Sequence, residues 1–204
     1  MSMAGNAVRK AVDAFRKGKF VIIVDDEHRE NEGDVVVAAQ DITPRKVNFM
    51  VTHGRGLLCV PMEKRRLDGL DIPIMVEDNE ERTRCVFTVS VDARTGITTG
   101  ISAHDRARTI RLLADSKTKA PDLVRPGHVF PLMAAAGGLE ARKGHTEASL
   151  ELCRLAGKYP VAAICEILNT DGTMARLPQL KAFSRKHHIP LVTIKELERH
   201  LEAG

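Results

Sequence analysis

The chain has 204 residues, of which 28% are charged and 43% hydrophobic, with a formal net charge of +4. These proportions exclude a disordered chain, and the length suits one large domain able to bury a full core. No Trp, one Tyr and six Phe leave little for bases to stack on, the basic residues are scattered, and no apolar run approaches the ~18 residues that span a membrane, so neither nucleic acid nor membrane is an expected partner. A mildly basic chain with one dense acidic segment instead suits an anionic small substrate plus a cation.

In chain order, residues 7–17 read as a helix, with Val8, Val12 and Phe15 on one face, Asn6 as cap and Gly18 as stop. Two β-branched apolar runs follow, Phe20-Val21-Ile22-Ile23-Val24 and Val35-Val36-Val37-Ala38-Ala39. Both read as buried strands. Between them lie ten residues, 25–34, of which six are acidic: Asp25, Asp26, Glu27, Glu30, Glu32 and Asp34. Strand pairs are usually joined by about two to five residues, so this connection is long. Carboxylates this crowded repel one another unless something positive sits among them, and a hard divalent cation fits an oxygen-rich cluster. If the backbone stays extended, Glu30, Glu32 and Asp34 share a side. A solvated acidic loop is the competing reading.

Thr43-Pro44 starts a second helix, ending near Gly54. Residues 57–60 read as a short strand, 85–91 as β-rich, 102–114 as a helix with Ile110, Leu113 and Ala114 inward, and 128–135 as strand-like. A helix over 146–156 stops at Gly157, and 161–168 is a strong strand followed by a turn at Asn169-Thr170-Asp171-Gly172. Helices over 180–187 and 195–201 flank a short strand at 191–194. The order is not a clean βαβ alternation, which predicts one α+β domain with a mixed β-sheet flanked by helices in layers. Cys59, Cys85, Cys153 and Cys165 show no C-x-x-C spacing and read as reduced core thiols. With no signal-peptide core at the N-terminus, the cytoplasm is the expected location.

Four further features carry candidate chemistry. Arg142-Lys143-Gly144-His145-Thr146 enters a helix, where free N–H groups, two cations and a hydroxyl suit a phosphate, and His145 suits a metal. Simple N-capping by Thr146 is the alternative. Thr98-Thr99-Gly100-Ile101-Ser102 also opens a helix, to contact phosphate or to cap. Glu166 interrupts an apolar strand, on the face of Ile164 and Leu168. Burial there would raise its pKa toward that of a general acid or base, whereas a salt bridge or an emerging strand end would not. His128 begins a strand after Arg125-Pro126-Gly127 and could shuttle protons or be structural.

Taken together these segments resemble the 3,4-dihydroxy-2-butanone 4-phosphate synthase family. The resemblance rests on Arg29-Glu30-Asn31-Glu32-Gly33-Asp34, His53-Gly54-Arg55-Gly56-Leu57-Leu58-Cys59, Thr95-Gly96-Ile97-Thr98-Thr99-Gly100-Ile101-Ser102-Ala103, Arg125-Pro126-Gly127-His128-Val129-Phe130-Pro131-Leu132, Gly144-His145-Thr146-Glu147-Ala148, Ile164-Cys165-Glu166-Ile167 and Asp171-Gly172-Thr173-Met174-Ala175-Arg176. His104 departs from it, standing where a small residue is expected. The resemblance implies a lyase of riboflavin biosynthesis that converts D-ribulose 5-phosphate to L-3,4-dihydroxy-2-butanone 4-phosphate and formate through an enediol. It implies one or two Mg²⁺ or Mn²⁺ ions per active site, held by Glu30 and His145. It implies His128, Glu166 and Glu32 as catalytic groups, and Arg29, Asp34, Thr98, Ser102, Arg142, Thr146 and Glu166 as substrate contacts. It further implies a homodimer with active sites near the interface. Residues 1–204 would form a single synthase domain, with no fused GTP cyclohydrolase II domain, and the acidic loop would close over substrate. Two competing readings are another metal-dependent sugar-phosphate enzyme, such as an isomerase or aldolase, and a non-enzymatic binding module.

Overall fold

In the computed structural model, which describes residues 3–203, helix α1 (Met3–Arg16) buries Val8, Ala11 and Phe15 along one stripe. It starts before Asn6, which lies inside it rather than capping it, since asparagine is only mildly unfavourable within a helix. Gly18, at φ 68, ends it and donates its N–H to the Phe15 carbonyl. Strands β1 (Val21–Val24) and β2 (Gly33–Ala38) pair antiparallel, with Val24 opposite Gly33. Every residue in them is buried, because both faces of the sheet are covered. Alternation sends Ile22, Val24, Val35 and Val37 into one core and Val21, Ile23, Val36 and Ala38 into the other.

The chain continues through α2 (Pro44–Phe49), capped as expected by Thr43, whose hydroxyl accepts the Lys46 N–H at 3.2 Å. A π-turn over Met50–Gly54 carries it to Arg55 at φ 75. Then come β3 (Cys59–Met62), α3 (Lys64–Gly69), β4 (Val86–Phe87), β5 (Val91–Ala93), α4 (Ala103–Ala114), β6 (Leu123–Met133), α5 (Gly138–Ala141), α6 (His145–Leu155), β7 (Ala162–Glu166), α7 (Leu177–His187), β8 (Leu191–Thr193) and α8 (Ile194–Glu202). The eight strands form one mixed sheet in the order β4-β6-β3-β7-β2-β1-β8, with β5 also on β6. One face carries α1, α6 and α8 through Phe15, Leu152 and Leu197. The other carries α2, α4 and α7 through Val47, Ile110 and Leu180. This is the α+β arrangement with layered helices that the sequence predicts.

Several expected boundaries move. The strand expected from Leu57 begins at Cys59, because the Leu57 N–H is taken by the Glu166 carboxylate. The β-rich stretch at 85–91 divides into β4 and β5, both laid against β6. With β5 as partner, β6 starts at Leu123 and runs through Pro126 and Gly127 to His128. The short helices α3 and α5 carry too few apolar residues to announce themselves. No helix among the described residues is long and apolar enough to cross a membrane.

Candidate active site

β2 and β7 pair antiparallel with Asp34 directly opposite Glu166. Cross-strand partners point to the same face, here the face covered by α6. The N-terminus of α6 therefore brings His145 and Thr146 over two carboxylates at the sheet end. Its cap is Gly144, so Thr146 is the second helical residue, buried and not the expected cap. A side chain at Gly144 would displace the Arg142–Glu147 pair, since a Cβ would lie 2.3 Å from Arg142 Nη1 and 2.8 Å from Glu147 Oε2.

The acidic loop is folded back on itself by Asp25. Its Oδ1 accepts the Glu32 N–H at 2.8 Å, and its Oδ2 accepts the Glu30 N–H at 3.1 Å and Arg29 Nη1 at 2.9 Å. Arg29 also pairs with Glu30 at 2.9 Å. Just before α7, Arg176 donates to the carbonyls of Glu30 and Asn31 at 2.7 and 2.6 Å. The positive charge that the crowded acids require thus comes first from the protein's own arginines. Only Gly33 and Asp34 of the loop are in β2 and Asn31 turns through φ 55, so the alternation is broken, yet Glu30, Glu32 and Asp34 still face one cavity.

That cavity, of about 200 Å³, is lined by Arg29, Glu30, Glu32, Asp34, Arg142, His145, Thr146 and Glu166, with Cys59, Cys85 and Thr83 among its other walls. Eight of the predicted site residues therefore meet in one place. Larger cavities lie elsewhere, two of them of about 580 Å³ each, one beside α6 and one on the outer side of the acidic loop. The smaller cavity is distinguished by its chemistry. His145 Nδ1 lies 3.5 Å from Glu30 Oε2, while His145 Nε2 and Asp34 Oδ1 are buried with no hydrogen-bond partner among the described residues. Buried polar atoms are normally satisfied, so two orphans on residues lining one cavity mark a place for a ligand.

The charges are strongly perturbed. Burial opposes ionisation of Glu30, but His145 and Arg29 outweigh it and hold the pKa down to about 2. Burial pushes Asp34 up, assisted by Glu166, Glu30 and Glu32 and opposed by His145. Burial also raises Glu32, with Glu30 adding to the effect. For His145 burial favours the neutral ring, but Asp34, Glu30 and Asp25 outweigh it and the pKa rises. Burial likewise pushes up the Cys59 and Cys85 thiols, which makes them poor nucleophiles. Ligand atoms of Asp25, Glu30 and His145 lie within 4.8 Å of one another.

Glu166 is not the fully buried carboxylate considered from its strand. It is half-buried at the emerging end of β7, and its Oε2 accepts the Leu57 N–H at 2.8 Å. Gly56 makes this approach feasible, because a Cβ there would lie 2.3 Å from Glu166 Oε2. Arg142 lines the cavity but is already paired with Glu147 at 2.7 Å and donates to the Thr83 carbonyl at 3.1 Å.

Thr98, Ser102 and His128 do not line this cavity. Ser102 caps α4, accepting the Asp105 N–H at 3.1 Å, and Thr98 donates its hydroxyl to Asp105 Oδ2 at 2.7 Å. His128 instead pairs with Asp92, with Nδ1 2.6 Å from Oδ2. The predicted residues thus fall into two groups on different elements. Asp25, Asp92 and Arg176 have structural parts in these groups that the sequence did not assign: Asp25 stood there only as one of six acids and Arg176 only as the last residue of a motif, while Asp92 carried no sign.

Comparison with known proteins identifies the family. The family model for 3,4-dihydroxy-2-butanone 4-phosphate synthase matches residues 9–200. The chain is 53% identical over 195 residues to a 3,4-dihydroxy-2-butanone 4-phosphate synthase of Agrobacterium fabrum, covering 96% of this chain and 92% of that protein. It is 52% identical to the riboflavin biosynthesis protein RibBA of a Synechocystis species, covering 94% of this chain but 35% of that longer protein. Among solved structures, a 3,4-dihydroxy-2-butanone 4-phosphate synthase in complex with two magnesium ions superposes with a TM-score of 0.92 at 44% identity, covering 96% of each chain. A cation-free form superposes at 0.89 with 43% identity, covering 96% of this chain and 97% of that one. The chain belongs to the 3,4-dihydroxy-2-butanone 4-phosphate synthase family of riboflavin biosynthesis enzymes.

Proposed function

We propose that this chain is a lyase that converts D-ribulose 5-phosphate into L-3,4-dihydroxy-2-butanone 4-phosphate and formate, as a single synthase domain working in the cytoplasm as a homodimer. The observation that carries the reading is the orphaned pair, His145 Nε2 and Asp34 Oδ1, buried beside Glu30 in a cavity walled by Arg29 and Arg142. An oxygen and imidazole donor set of this kind fits Mg²⁺ or Mn²⁺. Asp25 already accepts three hydrogen bonds, so Glu30 and His145 would hold the cation. When bound, one or two such ions supply positive charge against the oxygens of an enediol. A relative's crystal structure with two magnesium ions supports that choice.

The remaining work falls to side chains. The reaction removes a proton beside the ketose carbonyl, loses water, rearranges the carbon skeleton and releases C4 as formate. Atoms balance without an oxidant: the water lost in one step is taken up again before formate leaves. Proton transfers at several carbons need more than one acid or base. Glu166 and Glu32 face the cavity for this purpose, and Asp34, whose carboxyl burial pushes up, can hydrogen-bond to a hydroxyl. Arg29, Arg142 and Thr146 orient the substrate, with its phosphate at the α6 N-terminus, where free N–H groups and the helix dipole favour an anion. Thr98, Ser102 and His128 enter from a second copy, which makes the site composite. Leu57, exposed next to Gly56 at the cavity, and Ile101, exposed in the Thr98–Ser102 loop, are apolar side chains for such an interface to cover.

The test is formate release from D-ribulose 5-phosphate by metal-stripped protein, with and without Mg²⁺. Metal-dependent formate is the expected result. Turnover without formate would place the chain among other sugar-phosphate enzymes and overturn the reading.

A further inference from the structure

His128 and Asp92 make two contacts, not one. Asp92 Oδ2 lies 2.6 Å from His128 Nδ1, and Asp92 Oδ1 accepts the His128 backbone N–H at 3.0 Å. The carboxylate is buried, while the His128 side chain is 43% exposed. Three local features are shaped around this contact. The β5–β6 ladder breaks register between Val91 and Asp92, and the excursion of β6 through Arg125-Pro126-Gly127 occupies the gap. Gly127 lies so close to β5 that a Cβ would come within 2.1 Å of the Val91 carbonyl carbon. Gly100, at φ 101, covers the pair from the other side, where a Cβ would lie 2.2 Å from Asp92 Oδ2 and 2.4 Å from His128 Nδ1. Asp105 anchors that cover by accepting the Gly100 N–H at 3.1 Å.

A carboxylate can only accept, so a neutral imidazole in this place must carry its proton on Nδ1 and present Nε2 as the acceptor. We infer that Asp92 is a positioning residue that holds His128 in the Nδ1–H tautomer and fixes its plane, so that Nε2 is the nitrogen offered to the reacting sugar. The inference rests on the reading above, that His128 takes part in the ribulose-phosphate reaction. Asp92 also ties the main chain at His128, and an asparagine could do that equally well with its one oxygen. Only the contact to Nδ1 needs the second oxygen, and this difference makes the roles separable.

The experiment is Asp92→Asn, read by nitrogen NMR of the labelled His128 ring at a pH where it is neutral, and by steady-state formate release. In the wild type the ring proton is expected on Nδ1. In the variant the amide donates to Nδ1, the proton moves to Nε2, and kcat falls on the order of 10²-fold, the size of a general acid–base contribution, with KM little changed. A wild-type ring protonated on Nε2 overturns the inference. So does a variant that changes tautomer without losing kcat, or loses kcat while keeping the Nδ1 proton. Should the variant not fold, the wild-type spectrum alone decides the tautomer. If the wild type releases no formate, the reaction reading fails, and the same spectrum still shows whether Asp92 sets the ring.

Discussion

Asp25→Asn is the sharpest perturbation of the loop that carries Glu30. The Asp25 side chain is 0% exposed, and its two oxygens accept from Arg29 Nη1, the Glu30 N–H and the Glu32 N–H. An amide can keep one oxygen toward Glu32, but its NH₂ then faces two donors, and both of those bonds are lost. A hydrogen bond to a charged group contributes about 1.5–3 kcal/mol. Arg29 is 21% exposed, so water recovers part of its loss and the lower figure applies. Two bonds at about 1.5 kcal/mol come to about 3 kcal/mol, or about two powers of ten in the opening equilibrium. Because the loop can open while the sheet stays folded, the global unfolding midpoint moves less than this. The assay is native-state hydrogen exchange at the Glu30 and Glu32 amides, where protection should fall about 100-fold. Mn²⁺ affinity should fall with it, since Glu30 loses its place. Unchanged protection at both amides would refute the claim that Asp25 organises the loop.

Three other outcomes follow from the same geometry. Glu30→Gln should lower Mn²⁺ affinity in calorimetry by at least about tenfold, the scale of even outer-sphere losses, with the fold intact; equal affinity would remove Glu30 from the ligand set. Gly56→Ala puts a Cβ 2.3 Å from Glu166 Oε2 and 2.8 Å from the Glu166 nitrogen, so Glu166 must shift, and kcat should drop on the order of 10²-fold, as for a misplacement of about 1 Å; retained kcat would mean that the position of Glu166 is not critical. The Thr98 hydroxyl, with the amides of Thr98 and Gly100, holds Asp105 down to about 2. A folded pKa below the unfolded value of about 3.9 gives stability that is present above that value and lost as pH falls toward about 2. Thr98→Ala should therefore raise the Asp105 carboxyl titration followed by carbon NMR and flatten the acid end of the stability curve, and an unmoved titration would contradict the hydrogen-bond assignment.

Local pattern and chemistry made part of this site readable in the amino-acid order. The acid run after a β-branched strand and the Thr43-Pro44 helix start are short-range signals, and both were found where expected. The acid run and His145 each suggested a hard cation by their chemistry, but only the family resemblance joined Glu30 to His145, which the fold places 3.5 Å apart. The contacts between distant segments were not. Nothing around Asp92 distinguishes it from an ordinary acid in a β-rich stretch, since its meaning comes from a register break against β6. Arg142 reads as a free cation until Glu147, one helical turn into α6, is seen to pair with it. Thr146 reads as a cap because a hydroxyl near a helix start usually is one; the tight approach of Arg142 and Glu147 to Gly144 gives that position to glycine instead. The separation of His128 from the Glu30 cavity has no sequence signature at all.

The acidic loop also takes on a different character from a free lid. A long polar connection suggests one, yet Asp25 binds its two inner amides, Asp25 and Glu32 exchange a backbone bond, and Arg176 holds the carbonyls of Glu30 and Asn31. Only Asp26, Glu27 and His28 at the tip stand exposed. Glu30 is therefore aimed before any cation arrives, so the ordering entropy has already been spent in folding and need not be spent again on binding. Arg29 serves the same end: it neutralises Asp25 and Glu30 together and allows carboxylates to sit near a buried imidazole in the absence of metal. Even the exposed tip is tied by Asp26, whose carbonyl accepts the Arg29 and Asn31 N–H groups and whose carboxylate accepts the His28 N–H at 2.9 Å. On the proposed reading, affinity for the cation would rest with the stem of this loop, where Glu30 is held.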